Sequence, residues 1–111
     1  MGRMILLKLQ PNQDVTEGLE AAARDAGMAR ARICGAVGSL VEAVVLRGDA
    51  HVHMPGPGLE IGGLSGIVDA GGGSSLSGFI CGTDTRTQYG RFARGRNAVG
   101  ITFEVVLEGL E

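Results

Sequence analysis

Apolar side chains alternate with polar residues or glycines along most of this chain, which predicts a protein built mainly from β-strands. The clearest alternation lies near the end, where Val99, Ile101, Phe103, Val105 and Leu107 are every second residue. Such a strand buries the face that carries these side chains and leaves the other face at least partly wet. Further strands are predicted at residues 3–9, 32–37, 40–47, 51–54, 59–68 and 76–81.

One segment has the helical period instead of the strand period. Its apolar stripe consists of Val15, Leu19, Ala22, Ala23 and Ala26. Asp14 and Glu17 have the spacing of an N-terminal capping box, and Gly27 is placed to end the helix, so we predict a helix over residues 15–26. One helix among many short strands predicts an α+β fold, a mainly antiparallel β-sheet with one helix packed on it. Because no linker divides the chain, a single domain over residues 1–111 is expected.

Glycine is unusually frequent, with 20 residues in 111, and it falls inside predicted strands, above all in the segment 57–68. A glycine in a strand marks a bulge, a bend or the close approach of another backbone. The sequence therefore predicts a closely packed sheet. Gly38-Ser39, Pro55-Gly56-Pro57-Gly58 and Gly71-Gly72-Gly73 are predicted to separate strands.

Composition indicates a thin core and a chain that gains from self-association. Hydrophobic residues make up 44%, but there is no Trp, one Tyr and three Phe, so the core must come from Val, Leu, Ile and Ala. Cys34 and Cys81 lie in apolar stretches without metal-type spacing and are predicted to be reduced core residues. No apolar run approaches the ~20 residues that span a bilayer, so we expect a cytoplasmic protein without membrane contact.

Charge is acidic overall but basic in one place. A net charge of −2 argues against a protein that binds nucleic acid by bulk charge. The segment 86–96 nevertheless contains no acid and carries four arginines, Arg86, Arg91, Arg94 and Arg96. Their planar forks suit a small anion or the phosphates of nucleic acid, and they equally suit a subunit interface with acids such as Glu104 or Asp84 of a neighbour. Both alternatives stay open at this point.

A second candidate site consists of Asp49, His51 and His53, which are spaced by two residues. On a strand these side chains would point the same way, as ligands of one metal ion must. The alternative is an exposed hairpin arm with polar residues facing water. No Ser-His-Asp or Cys-His arrangement and no acid–base pair is evident, so the sequence predicts neither catalytic residues nor a cofactor.

The order of these elements and their residues resembles the plant-and-prokaryote-conserved (PPC) domain, which also occurs in AT-hook nuclear-localised proteins. The matching motifs are Leu-x-Pro at 9–11, Gly35-Ala36-Val37-Gly38-Ser39-Leu40, Pro57-Gly58-Leu59-Glu60-Ile61 and Thr102-Phe103-Glu104-Val105-Val106-Leu107. The resemblance covers almost the whole chain and is closest to the stand-alone bacterial type. It implies an antiparallel sheet with a packed helix, assembled as a homotrimer.

The resemblance also carries expectations about function. It implies a non-catalytic regulatory or binding protein that contacts DNA, a partner protein or a small anion. The alternative is a small-anion-binding or metal-binding protein, possibly an enzyme, with its site at the subunit interface. Many bacterial members have a histidine metal site, and the positions that match those histidines here are Ser75, Ser77 and Arg91. The stretch that plant members use for partner contacts is matched at Pro57–Gly62, where only Glu60 and Ile61 are retained.

Overall fold

The chain folds into a curled antiparallel sheet that carries one helix on its surface, in a computed structural model that describes residues 2–84 and 86–110. The elements are β1 (Met4–Leu9), α1 (Val15–Asp25), β2 (Arg30–Arg47), β3 (Ala50–Asp69), β4 (Ser75–Cys81), β5 (Thr87–Phe92) and β6 (Val99–Gly109). They form a 6-stranded sheet in the order β1-β6-β2-β3-β4-β5, with an additional pairing of β2 and β5. The predicted α+β class, a mainly antiparallel sheet with one helix, is confirmed.

Helix α1 begins at the predicted cap. The Asp14 carboxylate accepts a hydrogen bond from the Glu17 backbone N–H at 3.0 Å, which satisfies one of the donors that a helix N-terminus leaves unpaired. The helix packs on the sheet through Val15, Leu19 and Ala23, all of which are fully buried. Within the described ranges, no helix has the length and apolar character needed to cross a membrane.

The sheet closes on itself because β2 is long and uses both of its edges. One edge pairs with β3. The other edge pairs with β6 along the first half of β2 and with β5 near its end, where Val45 lies opposite Phe92. Since β3 also pairs with β4, and β4 with β5, the strands β2, β3, β4 and β5 form a closed ring.

This ring is too narrow for side chains at two inward positions. Gly78 and Gly90 lie opposite each other on β4 and β5. A Cβ on Gly78 would lie 2.4 Å from the Gly63 carbonyl oxygen, and one on Gly90 would lie 2.8 Å from the Leu46 carbonyl oxygen. Both distances are shorter than any tolerated carbon–oxygen contact, so closure requires glycine at both positions. The predicted close packing of the glycine-rich sheet is confirmed here.

Two predicted strand breaks are wrong. Gly38-Ser39 lies within β2, and Pro55–Gly58 lies within β3. The register shows why the chain stays extended at the prolines. Leu40 pairs with Leu59 and Glu42 with Pro55, so β3 carries extra residues opposite Val41. Pro57 lies within this bulge, where its backbone nitrogen is not needed for the ladder, whereas Pro55 lies at the edge of the bulge opposite Glu42.

Strand β5 was missed by the sequence prediction, and two predictions of burial are wrong. Ile101 is 83% exposed, because the β2–β6 register shifts between Gly38 and Leu40. At this shift the Ile101 N–H donates to the Ser39 hydroxyl oxygen and not to a backbone carbonyl of β2. Cys34 is exposed, since the alternation of β2 places Ile33 inward and Cys34 outward. Cys81 is only partly buried, and both thiols are free.

We predict that Gly78→Ala destabilises the fold by about 2 kcal/mol or more, because the added methyl group must displace the backbone of β3. The matched control is Gly63→Ala on β3, where an added Cβ meets nothing within 4 Å. This control should be as stable as the parent or slightly more stable. Urea unfolding of the three proteins at one protein concentration measures the difference. Equal stability of Gly78→Ala and Gly63→Ala would contradict the role given to closure.

Candidate functional site

The arginine-rich segment 86–96 does not form one patch, because Arg94 is engaged within the chain. Its Nη1 and Nη2 atoms donate to the two carboxylate oxygens of Glu20, each at 2.6 Å. Nη2 also donates to the Gly72 carbonyl oxygen at 2.7 Å, and the Ser74 hydroxyl donates to Glu20 at 2.6 Å. Arg94 therefore ties the turn after β5 to helix α1 and to the turn between β3 and β4.

This ion pair is buried at its acidic end. The Glu20 side chain is 4% exposed and the Arg94 side chain is 41% exposed. The Arg94 hydrogen bonds lower the pKa of Glu20, and they outweigh the burial that would raise it. The carboxylate is therefore charged at neutral pH. A buried charge held by a bidentate partner is a structural tie, and its loss is costly.

Asn97 fixes the rest of this turn. It is fully buried, and its side-chain nitrogen donates to the Val44 and Ala93 carbonyl oxygens at 3.1 and 2.9 Å. Its side-chain oxygen accepts from the Val44 N–H at 3.0 Å, and its own N–H donates to Asp14. Neither Asn97 nor Glu20 is among the site residues predicted from the sequence. The available signal for Glu20 was its place on the helix between Leu19 and Ala23, a charged residue beside the apolar stripe.

Arg86 also has a partner in its own chain. Its Nε atom donates to Asp84 at 2.6 Å. The hydrogen bond from the Arg86 backbone N–H is the largest effect on the pKa of Asp84 and lowers it. The Arg86 guanidinium lowers this pKa further. Both side chains are more than half exposed, so the pair contributes little to stability.

Arg91 and Arg96 are placed differently from the other two. Both are exposed, and within residues 2–84 and 86–110 neither guanidinium makes a hydrogen bond or an ion pair. Arg91 lies on β5 opposite Ser77 of β4 and Leu46 of β2. Arg96 lies in the turn that Asn97 holds. These two arginines are the members of the segment that remain available to a ligand.

The second sequence candidate is only partly assembled. His51 and His53 lie on β3, whereas Asp49 lies in the turn before that strand. The His53 Nε2 atom contacts Glu42 on β2 at 2.7 Å. Across the described part of the chain, no three or more His, Cys, Asp or Glu side chains are grouped so that they could hold a metal ion. Zinc binding at His51 and His53 stays a hypothesis. Elemental analysis tests it by comparing the zinc content of the parent protein with that of the variant in which both histidines are replaced by alanine.

The positions that match the family's histidines do come together. Ser77 lies directly opposite Arg91, and Ser75 lies two residues earlier on the same face of β4. These residues do not fit a transition metal, because serine is a poor zinc ligand and a guanidinium repels a cation. The donors that they offer are hydroxyl and guanidinium hydrogens. Such a set suits an anion.

The model of the Plants and Prokaryotes Conserved (PCC) domain matches residues 1–111. The chain belongs to the PCC family. This confirms the family that the sequence motifs indicated. No curated protein matches the sequence.

Solved structures share the fold of this PCC domain. A hypothetical protein from Salmonella cholerae-suis has a TM-score of 0.88 at 24% identity, over 99% of this chain and 79% of that one. A candidate DNA-binding protein from Bacteroides thetaiotaomicron has a TM-score of 0.82 at 14% identity, over 100% and 81%. The metal-containing protein AF0104 from Archaeoglobus fulgidus has a TM-score of 0.77 at 23% identity, over 99% and 81%. At these identities the likeness establishes the fold alone.

We predict that Arg94→Met lowers the free energy of unfolding at pH 7 by about 2 kcal/mol, since the Glu20 carboxylate is left buried with only the Ser74 hydroxyl. Because the pKa of Glu20 is lowered in the folded protein, its contribution is present at neutral pH and is lost in acid. The deficit of the variant should therefore shrink as the pH falls below the ordinary pKa of a glutamate, about 4.3, and through the lowered pKa of Glu20.

Melting temperatures measured from pH 3 to pH 7 follow this difference. Arg86→Met is the matched control, because it removes an equally short but exposed arginine–carboxylate contact and should change the melting temperature little. A deficit of Arg94→Met that does not vary with pH would contradict this account.

Proposed function

We propose that this PCC-domain protein is a non-catalytic binding protein that acts as a homotrimer and recognises phosphate groups, with DNA as the candidate partner. The observation that carries the proposal is that Arg91 and Arg96 present exposed guanidinium groups without a partner among the described residues, although the chain as a whole is acidic. Arginine forks bind phosphate oxygens in pairs and stay charged at any physiological pH. The description of the Bacteroides protein as a candidate DNA-binding protein supports this direction.

The titratable groups with the strongest local interactions support a binding role over a catalytic one. Glu20 is a buried carboxylate, but both its oxygens are held by Arg94. Its pKa is lowered, whereas a general acid at neutral pH needs a raised one. The Asp84 carboxylate is exposed and has a lowered pKa as well. Neither group is poised to exchange a proton near pH 7.

Self-association is supported by an apolar surface on the outer face of β1, β6 and the first half of β2. Leu6 is 72% exposed and Val37 is 63% exposed on this face. They border a depression of about 290 Å³ whose lining also includes Gly35, Ala36, Val106 and, as its one charged residue, Glu104. Exposed apolar surface of this kind marks an interface. The number of three subunits comes from the resemblance to the PPC domain.

We predict a particle of about three times the chain mass in light scattering at micromolar concentration. Leu6→Lys should shift the particle towards the monomer, because an unpaired ammonium group would have to be buried in the interface. Asp25→Lys, an exposed change at the end of α1, is the matched control and should leave the mass unchanged. A monomeric parent protein would refute self-association, and a trimeric Leu6→Lys would place the interface elsewhere.

We predict that the protein binds a short DNA duplex with an affinity that falls as the salt concentration rises. Arg91→Gln and Arg96→Gln should each reduce the slope of log affinity against log salt by about one unit, because each removes one phosphate contact. Arg30→Gln is the control, since Arg30 is exposed at the opposite end of β2. Fluorescence anisotropy with labelled DNA at several salt concentrations measures the slopes. Equal slopes for all four proteins would refute DNA contact through these arginines.

A further inference from the structure

The outer face of β3, β4 and β5 carries a row of hydrogen-bond donors. Ser65 pairs with Ser77, and Ser77 pairs with Arg91, so three neighbouring strands present one donor each in the same row. Side chains that are directly opposite on antiparallel strands have Cβ atoms about 4.5–5.5 Å apart. Ser75 adds a further hydroxyl two residues along β4. One bound group of phosphate size can reach several of these donors at once.

Within residues 2–84 and 86–110, none of these donors has a partner in the chain. Among the described residues, the hydroxyls of Ser65, Ser75 and Ser77 and the guanidinium of Arg91 take part in no hydrogen bond or ion pair. The positions that flank the row in the register are Ile67, Leu46, Gly63, Phe79 and Tyr89. No acid occupies any of these flanking positions. Asp69 lies farther along the same face of β3, two residues beyond Ile67, and its carboxylate accepts a hydrogen bond from the Gly71 N–H at 2.7 Å.

Two exposed aromatic rings lie beside the row. Phe79 and Tyr89 are the next outward pair on β4 and β5, with ring centroids 4.9 Å apart and an interplanar angle of 55°. Phe79 is 49% exposed and Tyr89 is 52% exposed. With Gly63, Ser65 and Ser77 they line a depression of about 280 Å³, which is close to the lower limit of ligand-binding pockets. Exposed rings next to a cation provide a surface on which a planar group can stack.

We propose that this face is a binding site for a small phosphorylated aromatic compound of the mononucleotide class. Arg91 and the serine hydroxyls bind the phosphate monoester, and Phe79 and Tyr89 contact the planar ring. The proposal rests on the proposed function, because both assign phosphate recognition to Arg91. It adds a ligand class and a place. The resemblance to the family implies a histidine metal site at these positions in many bacterial members, whereas the residues of this chain suit an anion there.

Isothermal titration calorimetry with the full chain tests the proposal with three probes, adenosine monophosphate, adenosine and inorganic phosphate. We expect one adenosine monophosphate per chain, and binding of adenosine and of phosphate at least about tenfold weaker, because each lacks half of the contacts. Arg91→Gln should weaken adenosine monophosphate binding by about tenfold or more, and Ser77→Ala by about threefold to tenfold. Arg30→Gln should bind like the parent.

The aromatic contribution needs its own variants. Phe79→Ala and Tyr89→Ala should weaken binding of adenosine monophosphate by about fivefold or more but leave binding of inorganic phosphate unchanged, since they remove ring contacts alone. Arg91→Lys should bind more weakly than the parent but more tightly than Arg91→Gln, because it keeps the charge and loses the fork. Unchanged melting temperatures confirm that these outward-facing substitutions leave the fold intact.

The outcomes separate this proposal from the proposed function. Binding of duplex DNA through Arg91 and Arg96 without binding of adenosine monophosphate would overturn the mononucleotide site and leave the DNA role standing. Binding of adenosine monophosphate without DNA binding would support the site and refute the DNA role. Equal affinity of the parent and Arg91→Gln for adenosine monophosphate would overturn the proposal. So would loss of the trimer in Tyr89→Ala, because the rings would then be covered by a second copy of the chain.

Discussion

Closure of the sheet between β2 and β5 is the constraint on which the rest of the structure depends. It brings the β4–β5 hairpin back onto β2, and it is possible only because Gly78 and Gly90 carry no side chains where the strands crowd together. Alternation along a strand is strict, so the residues next to these glycines must point outwards. The constraint that empties the interior at positions 78 and 90 thus also places Phe79, Tyr89 and Arg91 on the outer surface. Packing and candidate function are two consequences of one register.

A second tie holds the turn that follows β5. Arg94 and Glu20 join sequence positions that are 74 residues apart, and Asn97 joins the same turn to β2. Because Arg94 is held in this way, the arginine-rich segment serves two purposes. Arg94 stabilises the fold, whereas Arg91 and Arg96 project from a backbone that the tie keeps in place. A preorganised backbone lowers the entropic cost of binding, so the structural arginine supports the exposed ones.

Much of the fold could be predicted from the sequence, and the failures have physical reasons. The strand near 76–81 and helix α1 were predicted because each has one buried face, which produces a clean period. β5 was missed because Gly90 takes an inward position where an apolar residue would have marked the strand. The prolines of β3 were interpreted as a break because a bulge depends on the partner strand, which no local pattern reveals. The predicted burial of Ile101 is wrong for the same reason, since its exposure follows from a register shift between β2 and β6.

The candidate site was predicted as a group of residues but not as an arrangement. The excess of arginine at 86–96 is visible in the sequence, whereas the partner that removes Arg94 from the group lies on a helix far away along the chain. Ser75, Ser77 and Arg91 were named because they match the family's histidines, and the pairing of β4 with β5 then gave them a shared face. Ser65, Phe79 and Tyr89 joined them through register alone. Long-range pairing is the information that composition and spacing lack.

Electrostatics decides how an acidic chain can bind an anion at all. A net charge of −2 gives no long-range attraction for DNA, whose recognition draws on many phosphate contacts at once. A single phosphate group on the donor row depends instead on contacts within a few ångströms. At physiological ionic strength charges are screened over about 8 Å, so acids on other faces act weakly on that row. One of them, Glu108 on β6, is also partly neutralised by Arg32 at 2.7 Å. The acidic composition therefore disfavours a polyanion more than it disfavours a small one, and local geometry carries the binding.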